Sequence, residues 1–180
     1  MSALPPPGTR AGSVGGPGLL ETDAQQGSIL FRRLLRHPIQ EVWEAITEPA
    51  QVESWFMVTL TREDAPGGRL EMRHPNNIRA TGRVLEWHPP RTYEYEWNLP
   101  PGPNNPEGET STVRWELTPT DEGTLLVLTH RKLTRPTATI FSRGLGVFLD
   151  RLSAHMDGTP LPDPPWLTQA RAPDGAGRTT

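Results

Sequence analysis

The sequence Pro38-Ile-Gln-Glu-Val-Trp-Glu-Ala-Ile-Thr-Glu-Pro-Ala-Gln-Val-Glu-Ser-Trp-Phe56 decides how the rest of the chain is interpreted. Its first half has apolar residues at the spacing of one helical face, namely Ile39, Val42, Trp43 and Ile46. Pro38 suits the first position of a helix, where a missing backbone N–H costs nothing, and Pro49 suits the start of a second helix for the same reason. The stretch therefore predicts two short helices separated by a break.

The segments around these helices predict strands, because apolar and polar residues alternate in them between turn signals. The predicted strands are residues 28–36 before the helices and residues 57–62, 69–74, 79–88, 92–98, 112–118 and 124–133 after them. Residues 137–157 then predict a long final helix with one apolar stripe. This order predicts an α+β fold in which a curved antiparallel sheet wraps around the last helix and leaves a cavity between them.

The length of 180 residues suits one folded domain with flexible ends. Residues 1–27 are rich in Pro, Gly, Ser and Ala, and they predict a disordered tail with few large apolar side chains. Residues 28–158 form the predicted domain. Residues 159–180 are again Pro-rich and predict a tail that is partly ordered at most.

Composition excludes several classes of function. The net charge of −3 argues against nucleic acid as the main partner, and the absence of cysteine excludes disulfides and thiolate metal sites. No apolar run reaches the roughly 20 residues of a membrane span, and no secretory signal pattern is present, which favours a cytoplasmic protein. The sequence also lacks nucleotide-binding and metal-binding motifs, so no cofactor and no metal are expected.

A set of short motifs follows in a characteristic order: Pro38-x-x-x-Val42-Trp43-x-Ala45-Ile46-Thr47, Trp55-Phe56, Gly67-Gly68, Gly82-Arg83-Val84-Leu85-Glu86, Pro89-Pro90, Tyr95-x-Trp97, Gly123-Thr124-x-Leu126-x-Leu128-Thr129-His130 and Gly146-x-x-x-Leu149-x-x-Leu152. Over residues 28–158 this order resembles the AHSA-like family, named after the activator of the heat-shock-protein-ninety ATPase. That family is part of the START-like (SRPBCC) helix-grip superfamily. The resemblance implies the helix-grip fold, whose members bind lipids, hormones or polyketides in the cavity. Some members are cyclases or hydratases, and others bind chaperones.

Two histidines are the main polar candidates for the cavity. His74 continues the apolar face of Leu70 and Met72, and His130 continues that of Leu126 and Leu128. If those faces point inward, the imidazoles could hydrogen-bond a ligand carbonyl, or act as acid and base in an enzyme. The alternative is a core histidine bonded to a backbone carbonyl, or a histidine at the rim of the cavity.

Apolar and aromatic side chains complete the predicted ligand-binding set, either as cavity wall or as plain core packing. They are Met72, Tyr93, Tyr95, Trp97, Trp115, Phe141, Leu145 and Phe148. Trp55 and Phe56 end the second short helix and are interpreted as a cavity gate or as an aromatic pair at the edge of the core.

Three functions remain open from the sequence. The first is binding of a small, mainly hydrophobic molecule, lipid-like, acyl or polyketide-like, in the cavity. The second is a cyclase-like enzyme that uses the cavity histidines, and the third is a chaperone-linked interaction module. A homodimer is also compatible with the sequence. An apolar internal cavity would favour the first two functions, and a filled core with a large exposed apolar patch would favour the third.

Overall fold

The computed structural model describes residues 14–15, 18–22, 26–75, 77–102 and 105–164. The strands are β1 (Val14–Gly15), β2 (Leu19–Thr22), β3 (Gln26–Leu35), β4 (Val58–Arg62), β5 (Arg69–Arg73), β6 (Arg79–His88), β7 (Thr92–Leu99), β8 (Glu109–Thr120) and β9 (Gly123–Thr134). The helices are α1 (Ile39–Thr47), α2 (Pro49–Trp55) and α3 (Arg135–Asp157). This element order confirms the predicted α+β class.

The strands form one antiparallel sheet in the order β1-β3-β9-β8-β7-β6-β5-β4, and β2 pairs with β3 as well. The chain places α1 and α2 between β3 and β4, and α3 packs mainly against β3. The sheet and the final helix enclose the hydrophobic core. The helix-grip fold predicted from the sequence is therefore confirmed.

The two short helices form as their sequence predicts. Trp43 and Ile46 of α1 are buried, and α1 ends where Glu48 turns extended at φ −67° and ψ 121°. Pro49 then occupies the first turn of α2, where its fixed φ suits a helix and no N–H is needed. The break allows the two helices to pack on each other and on the sheet.

The alternating strands turn their apolar faces inward. In β7, β8 and β9 the residues at every second position are buried, namely Tyr93, Tyr95, Trp97, Val113, Trp115, Leu117, Leu126, Leu128 and His130. Side chains at every second position of a strand share one face, so these three neighbouring strands present one continuous wall to α3.

Burial varies along helix α3. Ala138 in its first turn and Leu149 and Leu152 near its end are buried, whereas Phe141, Leu145 and Phe148 between them are only half-buried. The helix ends at Gly158, whose left-handed φ of 65° suits a glycine cap. The middle of α3, residues 141–148, therefore covers the sheet without closing tightly onto it.

Buried Glu109 holds the start of α3 in place. Glu109 lies at the beginning of β8 and is 4% exposed. Its carboxylate accepts hydrogen bonds from the backbone N and the Oγ1 of Thr134, both at 2.9 Å, and from Asn105 Nδ2 at 3.2 Å. Thr134 is the residue that precedes α3, so this carboxylate satisfies a backbone donor where the helix begins.

The N-terminal segment differs from the disordered tail predicted for residues 1–27, because Leu19–Thr22 forms β2 on β3. Gly18 lies against the ring of Phe31, where an added Cβ would be only 2.4 Å from the ring. Leu19 and Leu20 are exposed, so the strand is held by its backbone pairing with β3, which composition does not reveal. Residues 1–13 and 165–180 lie outside the described residues, so the domain limits at 28 and 158 stay predictions.

Across the described ranges, no helix is both long enough and apolar enough to cross a membrane.

Candidate functional site

A cavity of about 230 Å³ lies between the middle of α3 and the inner wall of the sheet. Its sheet side is formed by Tyr95, Trp97, Val113, Trp115, Leu128 and His130. Its helix side is formed by Phe141, Gly144, Leu145 and Phe148. Phe56, Met57, His74, Ile78 and Leu99 line the remaining parts. The lining is almost entirely apolar.

Most of the predicted ligand-binding residues meet in this cavity. They are His74, His130, Tyr95, Trp97, Trp115, Phe141, Leu145 and Phe148. Met72 and Tyr93 do not line it. They border a separate space of about 20 Å³ near α2, which has room for about one water molecule. Tyr93 and Tyr95 share one face of β7, and only the second of them reaches the larger cavity.

The predicted gate pair also divides between the core and the cavity. Trp55 is 2% exposed, and its Nε1 donates to the carbonyl of Ala45 at 2.9 Å, which makes it part of the core. Phe56 lines the cavity, and its ring packs edge-on against Phe148 with centroids 4.7 Å apart. A gating role would therefore fall to Phe56 alone.

Six lining residues were not predicted: Met57, Ile78, Leu99, Val113, Leu128 and Gly144. A signal existed for two of them, because Val113 and Leu128 alternate in phase with Trp115 and His130. Ile78 lies in the turn between β5 and β6, where no periodicity marks a buried face, and its side chain is 45% exposed at the edge of the cavity.

His130 is the buried polar group of the cavity wall. It is 2% exposed, and its Nε2 lies 2.8 Å from Ser111 Oγ. Ser111 Oγ in turn donates to the carbonyl of Trp97 at 3.0 Å. His130 Nδ1 has no hydrogen-bond partner among the described residues. Burial lowers the pKa of His130 to about 3, so the imidazole is neutral at neutral pH.

His74 follows the last residue of β5 instead of lying within the strand as predicted. Its backbone N donates to the carbonyl of Ile78 at 2.9 Å, which closes the turn to β6. The side chain is half-buried and borders the cavity. His74 therefore lies at the turn beside Ile78, whereas His130 lies deep in the wall.

The tyrosines of β7 contribute neutral polar groups. Trp115 Nε1 donates to the hydroxyl of Tyr95 at 3.2 Å, on the cavity side of the sheet. Burial raises the pKa of both Tyr93 and Tyr95, so both phenols are protonated at neutral pH. With neutral His130 and protonated Tyr95, the wall offers hydrogen-bonding groups without charge.

No group of three or more potential metal ligands comes together within the part of the chain that the structure describes. The site is an internal cavity with apolar walls and a small number of neutral polar atoms.

Similar solved structures support the fold. MLL2253 from Mesorhizobium loti is 27% identical, with a TM-score of 0.67 over 74% of this chain and 99% of that one. CalU16 from Micromonospora echinospora is 23% identical, with a TM-score of 0.65 over 88% of this chain and 90% of that one. DynU16, from the dynemicin biosynthetic locus, is 23% identical, with a TM-score of 0.62 over 74% of this chain and 48% of that one.

A comparison with curated protein sequences found no significant match. The profile of the family described as "Activator of Hsp90 ATPase homolog 1-like protein" matches residues 36–157, which is more than half of the chain and includes α1, the cavity wall and α3. The chain therefore belongs to the family of Activator of Hsp90 ATPase homolog 1-like proteins.

Proposed function

We propose that this protein binds a small, mainly hydrophobic molecule, lipid-like, acyl or polyketide-like, in the cavity between α3 and the sheet. The observation that supports this proposal is the cavity itself, which has about 230 Å³ of space and an almost wholly apolar lining. Ligand sites in proteins are typically concave and apolar with a few placed polar groups, and this cavity has that composition.

The size of the cavity suits a compact molecule. Apolar cavities of about 150 Å³ bind benzene, so this space suits a molecule somewhat larger, such as two fused rings. Removing roughly 200 Å² of apolar ligand surface from water would contribute about 5 kcal/mol at about 25 cal/mol per Å². Lost translational and rotational freedom offsets part of that gain. Hydrophobic burial would therefore supply most of the affinity.

The two alternative functions have weaker support. A cyclase-like enzyme would need an acid near neutral pH. The low pKa of His130 removes its imidazolium from that role, so the acid would have to be His74 at the edge of the cavity. A chaperone-linked module would need a large exposed apolar patch. Among the described residues, the large exposed apolar side chains are spread over different elements: Leu19, Leu20, Leu60, Ile78, Leu85, Ile140 and Leu161.

A larger side chain in the cavity should weaken ligand binding strongly without harming the fold. Leu145 lines the cavity from the half-buried part of α3, so Leu145→Trp would place an indole in the ligand's space. We expect naphthalene, titrated by calorimetry, to bind this variant at least tenfold more weakly than the unaltered protein, a change of about 1.4 kcal/mol. Leu60→Trp is the matched control, because Leu60 is 41% exposed on β4 and does not line the cavity.

Equal affinity of the two tryptophan variants would reject this cavity as the binding site. Native mass spectrometry of gently purified protein complements the titration, because it reports the mass of any molecule retained from the cell. A retained organic molecule that is lost in Leu145→Trp and kept in Leu60→Trp would support the proposal and identify the ligand's mass.

A further inference from the structure

The contacts of Ser111 fix which nitrogen of His130 carries the proton. Ser111 has one hydroxyl proton, and its Oγ lies 3.0 Å from the carbonyl oxygen of Trp97, which can only accept. That contact therefore takes the serine proton. The 2.8 Å contact between Ser111 Oγ and His130 Nε2 then requires the imidazole to donate. Neutral His130 is consequently protonated on Nε2, and its Nδ1 carries a lone pair.

The lone pair of Nδ1 accepts no hydrogen bond from the described residues, and its surroundings are apolar. Among the described residues, no group donates a hydrogen bond to His130 Nδ1, although the side chain is 2% exposed. Buried polar atoms are usually hydrogen-bonded, and an unpaired one in a native structure calls for an explanation. Phe141 is the α3 side chain that faces this imidazole, with ring centroids 5.6 Å apart. Both rings line the cavity, so a ligand bound there would lie next to this imidazole.

We propose that the ligand carries a hydroxyl or N–H group that donates a hydrogen bond to His130 Nδ1. This inference rests on the proposed function, and it narrows the ligand from hydrophobic molecules in general to alcohols, phenols and uncharged N–H compounds of that size. It reverses the role expected for this residue from the sequence, in which the histidine donates to a ligand carbonyl. The N–H that a carbonyl would need is already used by Ser111.

The absence of charge around Nδ1 adds to this selectivity. A carboxylate ligand would bring a negative charge towards a lone pair in an apolar space, with no lysine or arginine among the residues that line the cavity. Burying an unpaired charge is costly, whereas a neutral hydroxyl supplies the missing donor and leaves no charge behind. The site therefore favours neutral donors over fatty-acid-like anions.

The tautomer can be measured on the unaltered full-length protein. Long-range proton–nitrogen NMR correlation spectra distinguish imidazoles protonated on Nε2 from those protonated on Nδ1. We expect His130 to show the Nε2–H form, and the Nδ1 resonance to shift when 2-naphthol is added but not when 2-methylnaphthalene is added. An Nδ1–H form in the free protein, or equal responses to the two compounds, would overturn the proposal even if no variant folds.

Binding of the same two compounds gives the second test, because they differ mainly in a hydroxyl that replaces a methyl group. We expect 2-naphthol to bind about two- to tenfold more tightly, the range that one net hydrogen bond supplies. His130→Phe should remove this advantage and leave 2-methylnaphthalene bound. His88→Phe is the matched control, since His88 is an exposed residue of β6 outside the cavity, and it should keep the advantage.

The outcomes separate the two proposals. Tight binding of both compounds with equal affinity would reject the role of His130 and leave the proposed function standing. Loss of the advantage in His74→Phe, with His130→Phe unchanged, would also reject it and assign the contact to the other cavity histidine. If neither compound binds, the proposed function is rejected, and the narrower inference is rejected with it.

Discussion

Replacing Trp43 with Ala is expected to lower the free energy of unfolding by about 3–5 kcal/mol, the usual cost of truncating a large aromatic core residue. Trp43 is 5% exposed, and its ring meets Trp87 of β6 edge-on with centroids 5.0 Å apart. The substitution would remove this contact and leave a void where α1 meets the sheet. Chemical denaturation followed by circular dichroism measures the loss directly.

Gln40→Ala provides the control for that experiment, because Gln40 lies exposed on the same helix. We expect the denaturation midpoint of this control to stay close to that of the unaltered protein. A midpoint for Trp43→Ala that matches the control would contradict the role of Trp43 in the core.

Replacing Glu109 with Ala should cost about 1.5–3 kcal/mol, the range for hydrogen bonds to a charged group. The substitution leaves the backbone N of Thr134 without the acceptor that now lies 2.9 Å away, at the start of α3. Glu109→Gln keeps one side-chain oxygen that can accept this bond, so we expect a smaller loss. Equal stability of the alanine variant and the unaltered protein, by the same denaturation experiment, would show that the carboxylate does not hold the helix.

The sequence predicted the fold because its hydrophobic periods are long and consistent. The apolar spacing of α1 predicts a helical face, and the alternation of Tyr93, Tyr95 and Trp97 predicts a strand face. The strand at Leu19–Thr22 was not predicted, because it is held by backbone hydrogen bonds to β3, and composition does not reveal such bonds. Periodicity thus reveals elements that bury side chains and misses elements held by their backbone.

The lining of the cavity was predicted only in part. Alternation shows which residues share a strand face, but it does not show which residues along that face border the cavity. Tyr93 and Tyr95 lie on the same face of β7, yet only Tyr95 lines the larger cavity. Which of them does so depends on where the half-buried part of α3 crosses the sheet. Ile78 and Leu99 lie in a turn and at a strand end, where neither helical nor strand periodicity applies.

The partner of His130 could not be predicted because it depends on strand register. Val113 is the direct neighbour of His130 across β8 and β9, and Ser111 lies two residues before Val113 on the same face. A shift of the register by one residue would turn Ser111 to the other face of the sheet. The hydrogen bond between Ser111 and His130, and with it the tautomer, follows only from the three-dimensional structure.

The cavity under the middle of α3 also bears on the lifetime of the protein in a cell. An occupant would complete the packing there and bind only the folded chain. It would then raise the apparent stability by mass action, by about 2.7 kcal/mol at a concentration of 100 times its dissociation constant. Changes of about 1–2 kcal/mol can alter the cellular abundance of a protein several-fold, because proteases remove chains that unfold. The steady-state amount of this protein would then rise and fall with the supply of its ligand.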